Sequence, residues 1–462
     1  MNYDFDLIVI GAGPGGYVSA IRASQLGLKA AVVEKDKPGG VCLNVGCIPS
    51  KSLIHNADVF RHISDLQDMG IKVDKSEFNY RKVFKKSRKA ADTLSKGVNF
   101  LLKKNNIELI QGEARIAGGN SIVLNDGKIL SAKNIIIATG SRPRIIPGFE
   151  FDEQRVLSST GALMLEELPK SMMILGAGAI GVEFAHVFSS FGVEIHLVEM
   201  MDRILPLEDE ETVEVINRSF RKRGIKIYTA TKALSLEKAP EELHIVLEGK
   251  DGEKKIVSVE KMLVAVGRAP NSENLDLEKA GIKTERGFIP TGDYYVTSSP
   301  CIYAIGDVIN TPLLAHVASK EGEIAVEHIA GHETPKRIDP NSIPGAVYCE
   351  PQIGSFGYTE WKAKQEGIEY AKAVFPYRGA GKSVAIEQPD GMAKVLYNPK
   401  TKEIIGASVV GAEATELVHE ILLAKTAELL PEDIATMIHA HPTLSESVME
   451  VMRAVEGWAI HA

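Results

Sequence analysis

Short apolar runs alternate with amphipathic stretches along the first third of the chain. Apolar runs occupy residues 5–10 and 30–33, and a pattern with helical periodicity fills residues 17–26 between them. A further apolar run covers residues 134–138. A strand pattern followed by a helix pattern and a second strand pattern is typical of a βαβ unit, whose strands are parallel. The first part of the chain therefore predicts an α/β fold.

The same order of patterns returns in the middle of the chain. An apolar run ends at residue 175, a helical pattern continues to residue 191, and another apolar run covers residues 194–198, with a further strand pattern at 261–266. Between the two units, residues 52–104 show helical patterns and residues 107–130 show short runs with glycines, which predict hairpins. Pro143 and Pro147 mark the exit from the first domain.

Beyond residue 338 the pattern changes. Strand patterns occur at residues 343–348, 371–375, 392–398 and 403–410, and helical patterns at 413–429 and 445–458. Strands followed by helices are typical of an α+β domain with its own sheet. We therefore expect an α/β protein with two Rossmann-like dinucleotide-binding domains plus a C-terminal α+β domain. The expected bounds are 1–145, 146–270, a central segment 271–338 that returns to the first domain, and 339–462.

Glycines stand where the first strand pattern meets its helix. Gly11, Gly13 and Gly16 fill this turn, and Glu34 ends the second strand pattern eighteen residues after Gly16. In a dinucleotide-binding unit the first glycine allows a tight turn, the second lets the backbone approach a pyrophosphate, and the third lets helix and strand pack closely. The helix N-terminus then faces the phosphates, and the acid accepts from ribose hydroxyls. A glycine triplet alone is weak evidence, but here both strands and the acid are present.

The second unit carries the same arrangement. Gly176, Gly178 and Gly181 follow its strand, and Glu199 ends the next strand, again eighteen residues after the third glycine. Two complete motifs predict two dinucleotides. An acid at this position accepts from a free 2′-hydroxyl and repels a 2′-phosphate, so the second nucleotide is expected to be NAD rather than NADP. Arg203 lies nearby, but beyond the end of the strand.

A pair of cysteines lies between these motifs, in the segment GGVCLNVGCIPSK at residues 39–51. Cys42 and Cys47 can meet as a disulfide only if the backbone folds them together, as a turn at the start of a helix does. Because so short a loop gains little stability from a cross-link, a redox-active pair is the sharper interpretation, and a helix N-terminus favours a thiolate. Two structural cysteines, or half a metal site, remain the alternatives.

Two other positions carry candidate chemistry. Asp307 follows a strand pattern, so its side chain is expected in the crevice at the carboxyl ends of the strands, where it could bind the ribityl chain of a flavin. His441 has Glu446 five residues later, which would let a carboxylate orient the imidazole as a base. In isolation, Asp307 could equally cap a turn, and a histidine before a proline is more often structural.

Composition narrows the function classes. The 462 residues are 44% apolar and 25% charged, and 53 basic against 61 acidic side chains give a net charge of −8. This acidic balance predicts neither nucleic acid nor an anionic membrane as a partner, and the basic clusters within residues 52–104 are expected to be a solvated helix face. Only four cysteines argue against a secreted disulfide scaffold. No targeting leader and no long apolar stretch are visible, so a cytoplasmic location is expected.

These segments together resemble the flavoprotein disulfide reductases of the pyridine nucleotide-disulfide oxidoreductase family over essentially the whole chain. The resemblance rests on the cysteine segment, on GAGAIGVEF at 176–184, on AIGD at 304–307 and on HAHPTLSE at 439–446. Within the family the match is best to members that oxidise dihydrolipoamide. Glutathione reductases normally have a basic pair after the second strand and a lysine where Ser50 stands, and mercuric reductases end in a cysteine pair. CEPQIGSFG at 349–357 departs from the family pattern, which has threonine first and glutamate after the proline.

The resemblance implies roles for individual residues. Cys42 would form the mixed disulfide with substrate, Cys47 would be the thiolate against the flavin, and Lys51 would sit beside the flavin with Glu183 as its charge partner. His441, oriented by Glu446 and supplied by the other subunit of an obligate homodimer, would take protons from the substrate thiols. FAD is expected to contact Glu34, Lys51, Ala114, Thr139, Gly140, Ser141, Asp307, Leu313, Leu314, Ala315 and His316. NAD is expected to contact residues 176–183, Glu199, Ala233 and Gly267.

The implied reaction is the oxidation of dihydrolipoamide by NAD+, with FAD as the resident cofactor and no metal. Residues 1–145 would then be the FAD-binding domain, 146–270 the NAD-binding domain and 339–462 the dimerisation domain. Lipoyl domains and the acyltransferase core of 2-oxoacid dehydrogenase complexes, or the glycine cleavage complex, are the implied partners. Two alternatives remain: another NAD(P)H-dependent disulfide reductase, and a non-catalytic structural subunit of a dehydrogenase complex.

Overall fold

A computed structural model describes residues 2–461. Its first part is built on a parallel sheet with the strand order β3-β2-β1-β6, and β4 and β5 continue from β6 as antiparallel strands. The elements of this part are β1 (Phe5–Ile10), α1 (Pro14–Gln25), β2 (Ala30–Glu34), α2 (Gly40–Val45), α3 (Cys47–Arg61), α4 (Ile63–Asp68), α5 (Tyr80–Lys104), β3 (Glu108–Gln111), β4 (Ala114–Gly118), β5 (Ser121–Leu124), β6 (Ile129–Ile137) and β7 (Ser141–Pro143).

The middle part repeats this plan. Its parallel sheet has the order β11-β10-β9-β15-β8, beside a separate antiparallel sheet of β12, β13 and β14, while β16 pairs with β7 of the first part. The elements are β8 (Val156–Leu157), α6 (Ser159–Leu163), β9 (Ser171–Leu175), α7 (Ala179–Ser190), β10 (Glu194–Val198), α8 (Glu210–Lys222), β11 (Lys226–Tyr228), β12 (Lys232–Lys238), β13 (Leu243–Glu248), β14 (Lys254–Val259), β15 (Lys261–Val264) and β16 (Arg268–Pro270).

The chain then returns to the first sheet before it forms the third part. Strand β17 pairs in parallel with β6, and the last sheet is antiparallel with the order β18-β19-β22-β21-β20. The elements are β17 (Ile302–Ala304), α9 (Ala315–Ile329), β18 (Gly345–Val347), β19 (Gln352–Gly357), α10 (Glu360–Glu366), β20 (Ala371–Pro376), α11 (Gly381–Ala385), β21 (Met392–Tyr397), β22 (Ile404–Gly411), α12 (Ala414–Thr426), α13 (Pro431–Ala435) and α14 (Glu446–Val455). Short 3-10 turns lie at Leu277–Ala280, Asp293–Tyr295, Gly306–Val308, Pro340–Ser342 and Tyr377–Gly379.

Burial explains why these residues form these sheets. The strands β1, β2 and the end of β6 are buried on both faces, as expected for parallel strands covered by helices. Strand β13 alternates strictly between buried and half-buried positions, which is the pattern of a sheet with one packed face. The predicted α/β fold with two dinucleotide-binding units and a C-terminal α+β unit is therefore confirmed.

Two local expectations differ from the structure. The run at 107–111 was expected in a hairpin, but it forms β3, a parallel edge strand on β2, because α5 acts as the crossover that returns the chain to the same sheet edge. The apolar pattern also does not single out β19, a central strand of the last sheet, because Gly354 and Gly357 interrupt it. In the described residues, no helix is both long and apolar enough to cross a membrane.

Candidate redox and nucleotide site

The two cysteines lie at a break between two helices. Cys42 is in α2, Cys47 is the first residue of α3, and only Gly46 separates the helices. A Cβ at Gly46 would lie 2.8 Å from the carbonyl oxygen of Val41, so the close approach of the helices requires glycine there. Helix α3 thus begins at Cys47 rather than near residue 52. Both cysteines are free thiols, Cys42 half-buried and Cys47 exposed.

The two thiols are electrostatically different. The hydrogen bond from Cys42 lowers the pKa of Cys47 to about 7, against desolvation of the thiol by its surroundings and with the help of the Lys51 ammonium. The same hydrogen bond, together with burial, raises the pKa of Cys42. With a pKa of about 7, Cys47 is about half ionised near neutral pH, while Cys42 stays protonated. The thiolate is the reactive form of cysteine.

Lys51 and Glu183 form an ion pair. The Lys51 ammonium lies 2.8 and 2.9 Å from the two oxygens of Glu183, so a residue of α3 is paired with one of α7. The backbone N–H of Tyr348 donates to the same carboxylate at 3.2 Å, and the Lys51 Nζ lies 4.3 Å from the centre of the Tyr348 ring. All three parts of the chain therefore meet one turn of helix from Cys47.

The first glycine turn has the geometry that a dinucleotide requires. Gly11 has φ +104°, and a Cβ there would lie 2.4 Å from the carbonyl oxygen of Ala138. A Cβ at Gly16 would lie 1.9 Å from the carbonyl oxygen of Gly11, whereas nothing lies within 4 Å of one at Gly13. Gly13 precedes α1 without a side-chain cap, so the helix N-terminus offers unpaired N–H groups to an anion. These residues fit FAD.

The second turn repeats this geometry. Gly176 has φ +99°, a Cβ at Gly181 would lie 1.9 Å from the carbonyl oxygen of Gly176, and a Cβ at Gly178 would have nothing within 4 Å. Gly178 precedes α7, again without a side-chain cap. The turn fits a second dinucleotide.

The two acids are held in the same way. Glu34 accepts from the backbone N–H groups of Ala12 at 2.7 Å and Asp36 at 2.9 Å. Glu199 accepts from Ala177 at 2.8 Å and Met201 at 2.9 Å. Each carboxylate is thus fixed beside its glycine turn and keeps lone pairs for a ribose hydroxyl.

The structure also places the two alanines of the expected nucleotide contacts. Ala114 begins β4, shortly after Gly112, whose N–H donates to the carbonyl oxygen of Glu34 at 2.9 Å. Ala233 lies in β12, shortly after Thr231, whose N–H donates to the carbonyl oxygen of Glu199 at 3.0 Å. Each segment therefore lies beside the acid of its own unit.

A polar network joins the expected flavin contacts at residues 139–141 to Asp307. The Ser141 hydroxyl donates to the Asp307 carboxylate and accepts from Arg268 Nε at 2.6 Å. Thr139 and Asn271 exchange hydrogen bonds at 2.7 and 2.9 Å, and the Asn271 N–H donates to Gly140 at 2.9 Å. Asp307 is thus engaged in a network and does not merely cap a turn. Gly267, with φ +110°, turns the chain into β16, which carries Arg268.

The run at residues 313–316 forms the start of α9. Leu314 is the N-cap, Ala315 is the first helical residue, Leu313 is exposed, and His316 bonds with the carbonyl of Pro344 at 2.9 Å. Further along the helix, the buried Glu321 accepts from the Gly306 N–H at 2.6 Å, and burial raises its pKa to about 7.

His441 and Glu446 also meet. The His441 Nδ1 lies 3.0 Å from a Glu446 oxygen, and the N–H of Thr443 donates to the other oxygen at 2.9 Å. Partial burial would raise the pKa of Glu446, but these two hydrogen bonds outweigh it, and the pKa is lowered. The side chain of His441 is 75% exposed. Within residues 2–461, its hydrogen bond leads to Glu446 and not to a cysteine.

Sequence reasoning gave no role to Arg268, Glu321 or Tyr348. Arg268 lies in the segment GRAPN directly after a strand pattern, which is a usable signal. Glu321 is an acid on the buried side of an amphipathic helix, which is also visible in the sequence. For Tyr348 the sequence gives no signal, because its contacts depend on how the last sheet meets the other two.

The comparisons with known proteins agree with this geometry. The family model described as pyridine nucleotide-disulphide oxidoreductase matches residues 5–322, and the model of the dimerisation domain of the same family matches residues 343–452.

Curated relatives match over the full length. A protein named dihydrolipoyl dehydrogenase from Rhizobium etli is 40% identical, and one of the same name from Bacillus subtilis is 42% identical, each with 100% of both chains covered.

Solved structures give the same result. LpdA from Mycobacterium tuberculosis has a TM-score of 0.89 at 25% identity, covering 97% of this chain and 99% of its own. The HOCl-induced flavoprotein disulfide reductase RclA from Escherichia coli has a TM-score of 0.86 at 25% identity, with the same coverage.

Proposed function

The chain belongs to the pyridine nucleotide-disulphide oxidoreductase family, and we propose that it oxidises dihydrolipoamide with NAD+ through the Cys42–Cys47 pair. The observation that carries this proposal is the position of Cys42 and Cys47 at the break between α2 and α3, one helical turn from the Lys51–Glu183 ion pair. The name of the full-length relatives, dihydrolipoyl dehydrogenase, supports the choice of substrate.

Two nucleotides would be held by the two glycine turns. FAD would bind at the N-terminus of α1, with Glu34 on its ribose and Asp307 and the start of α9 on the rest of the molecule. When bound, FAD would supply two-electron transfer between the reduced thiols and NAD+. NAD would bind at the N-terminus of α7, with Glu199 on its ribose. The guanidinium of Arg203 donates to the carbonyl of Pro206 at 3.0 Å, so it is turned into its own loop, which supports NAD over NADP.

The thiol chemistry follows from the polarisation of the pair. One thiolate of dihydrolipoamide attacks Cys42 of the disulfide form, so that a mixed disulfide forms and Cys47 leaves as a thiolate. The second substrate thiol then attacks the mixed disulfide, which releases lipoamide and leaves Cys42 reduced. The substrate loses two electrons and two protons. The electrons and one proton leave as the hydride of NADH, and the other proton goes to solvent. Lys51 stabilises the Cys47 thiolate.

His441 would receive the protons of the substrate thiols. Glu446 holds its Nδ1, so that Nε2 is free to act as the base. Since the hydrogen bond of His441 within its own chain leads to Glu446, we propose that His441 of one subunit acts on the cysteines of the other in a homodimer. The match of residues 343–452 to a dimerisation domain supports this arrangement.

The proposed partners are lipoyl domains and the acyltransferase core of 2-oxoacid dehydrogenase complexes, or the glycine cleavage complex, in the cytoplasm. They follow from the proposed substrate, because lipoamide is carried on such domains. The purified protein should therefore oxidise a dihydrolipoylated lipoyl domain faster than free dihydrolipoamide at equal concentration.

A substrate panel tests the proposal. Dihydrolipoamide with NAD+ should give NADH, while glutathione disulfide with NADH or NADPH should give no turnover. Reduction of another disulfide, without oxidation of dihydrolipoamide, would mean that the protein is a different disulfide reductase. A purified protein that lacks flavin and turns over neither substrate would instead show a non-catalytic subunit.

A further inference from the structure

Within residues 2–461, Tyr348 is the residue by which the last part of the chain makes polar and ring contacts with the Lys51–Glu183 pair. It follows β18, between the buried residues Val347 and Cys349. The Cys349 thiol donates to the carbonyl of Pro351 at 3.2 Å, which fixes the turn after Tyr348. The backbone at Tyr348 is therefore held from both sides.

Tyr348 contacts both members of the ion pair. Its N–H donates to Glu183 Oε1 at 3.2 Å, and its ring face lies 4.3 Å from Lys51 Nζ. The ammonium is therefore confined between two carboxylate oxygens and an aromatic face. Since the Lys51 side chain is 34% exposed and that of Glu183 is 11% exposed, the ring also covers a part of the pair that solvent would otherwise reach.

The position of the Lys51 ammonium matters for Cys47. Lys51 lowers the pKa of the Cys47 thiol, whereas Glu183 raises it. The other charged and titratable groups that face Cys47 are Cys42, Arg268 and Tyr348 itself. If the Lys51 ammonium moved away from Cys47, the negative charge of Glu183 would no longer be balanced by Lys51. The Cys47 thiolate would then be less stable.

We propose that Tyr348 is a positioning residue: its ring face holds the Lys51 ammonium against Glu183, so that the third part of the chain sets the thiolate character of Cys47. This inference rests on the proposed function, because it concerns the same thiol pair. It concerns the aromatic ring and not the hydroxyl group. A phenylalanine can therefore replace Tyr348, and a leucine cannot.

The test uses the FAD-loaded dimer in a Cys42→Ser background, where Cys47 is the only thiol of the pair. Tyr348→Leu and Tyr348→Phe are compared by two readouts: the pH dependence of the long-wavelength thiolate-to-flavin absorbance, and the alkylation rate of the Cys47 peptide by iodoacetamide. Since the thiolate forms as the pH rises through the pKa of Cys47, both signals increase with pH. Tyr348→Leu should move both midpoints to higher pH. At one pH below the midpoint of the parent protein, its thiolate fraction should be about fivefold lower than that of the parent.

The controls make the result specific. Tyr348→Phe should titrate like the parent protein. Tyr358→Leu removes a ring that follows β19 and lies 4.7 Å from Lys362 of α10, and it should also leave the titration unchanged. Tyr348→Leu added to Lys51→Met should shift the midpoint no further than Lys51→Met alone.

The outcomes separate this inference from the proposed function. A parent protein without thiolate-to-flavin absorbance would overturn the proposed function. Normal absorbance in the parent with an unshifted Tyr348→Leu variant would overturn the role of Tyr348 alone, and so would a Tyr348→Phe variant that shifts as far as the leucine variant. Flavin content and melting temperature, measured for every variant, distinguish these results from misfolding.

Discussion

The two nucleotide-binding units repeat one set of contacts. In each, the third glycine lies so close to the first that a Cβ would come within 1.9 Å of a carbonyl oxygen, and the middle glycine faces open space. In each, the carboxylate of an acid at the end of the second strand accepts from two backbone N–H groups. A backbone N–H of a later loop donates to the backbone carbonyl of the same acid. Four strands of each sheet also follow the same order, β3-β2-β1-β6 in the first and β11-β10-β9-β15 in the second.

The units differ in what lies between their second and third strands. The middle unit has a single helix there, α8, between β10 and β11. The first unit has α2, α3, α4 and α5 between β2 and β3, and this insertion carries both cysteines and Lys51. The comparison supports the proposal that the shared plan binds nucleotides and that the insertion supplies the thiol chemistry. Helix α7 of the middle unit contacts the insertion through Glu183, which pairs with Lys51, and through His186, which bonds with Asp58.

The largest expected effect comes from the insertion. Cys47→Ser should lower dihydrolipoamide oxidation by at least ~10³-fold, because the electron-accepting disulfide cannot form. FAD should stay bound, and NADH should still reduce an artificial quinone acceptor. Cys301→Ser, outside the insertion, is the matched control and should keep normal turnover. Full activity of Cys47→Ser would refute the thiol relay.

The next effect tests the base from the third part of the chain. His441→Gln should slow the dithiol half-reaction by roughly 10²–10⁴-fold, as for loss of a general base. Stopped-flow reduction by dihydrolipoamide measures this step, and reduction by NADH should be unaffected. His419→Gln, an exposed histidine on α12, is the control. An unchanged half-reaction would exclude His441 from the mechanism.

A matched pair of glycine variants tests whether the two units bind separate nucleotides. Gly178→Val should raise the KM for NAD+ by at least ~10-fold while FAD content stays normal, because its side chain would occupy the phosphate site. Gly13→Val should instead lower the FAD content. A Cβ at either glycine meets no protein atom within 4 Å, so the melting temperature of the apoprotein should change little. Loss of both nucleotides in either variant would contradict separate sites.

The smallest effect concerns the choice between NAD and NADP. Glu199→Gln removes the charge that repels a 2′-phosphate, and it should narrow the preference for NAD+ over NADP+ roughly tenfold, the size of a single hydrogen-bond or charge effect. The ratio of the two kcat/KM values measures this preference. Glu34→Gln, at the equivalent position of the first unit, should leave the ratio unchanged. An unaltered ratio in Glu199→Gln would mean that another group selects the nucleotide.

Local motifs explain how much the sequence could predict. The glycine turns, the acids and the cysteine pair each lie within one short segment, so spacing alone placed Gly16 beside Gly11 and Glu446 beside His441. The contact between Lys51 and Glu183 spans two units, and only the resemblance to a family suggested it. Nothing local marks Tyr348, because its position depends on the packing of the last sheet against both other units. The same holds for β3, whose pairing depends on the path of α5.

The most direct test of the account is an anaerobic titration of the purified protein with dihydrolipoamide, followed by visible absorbance and then by addition of NAD+. If the thiol relay operates, a long-wavelength thiolate-to-flavin band forms with dihydrolipoamide and disappears as NADH appears. A flavin that stays oxidised with dihydrolipoamide but is reduced by NADH or NADPH would contradict the proposed substrate.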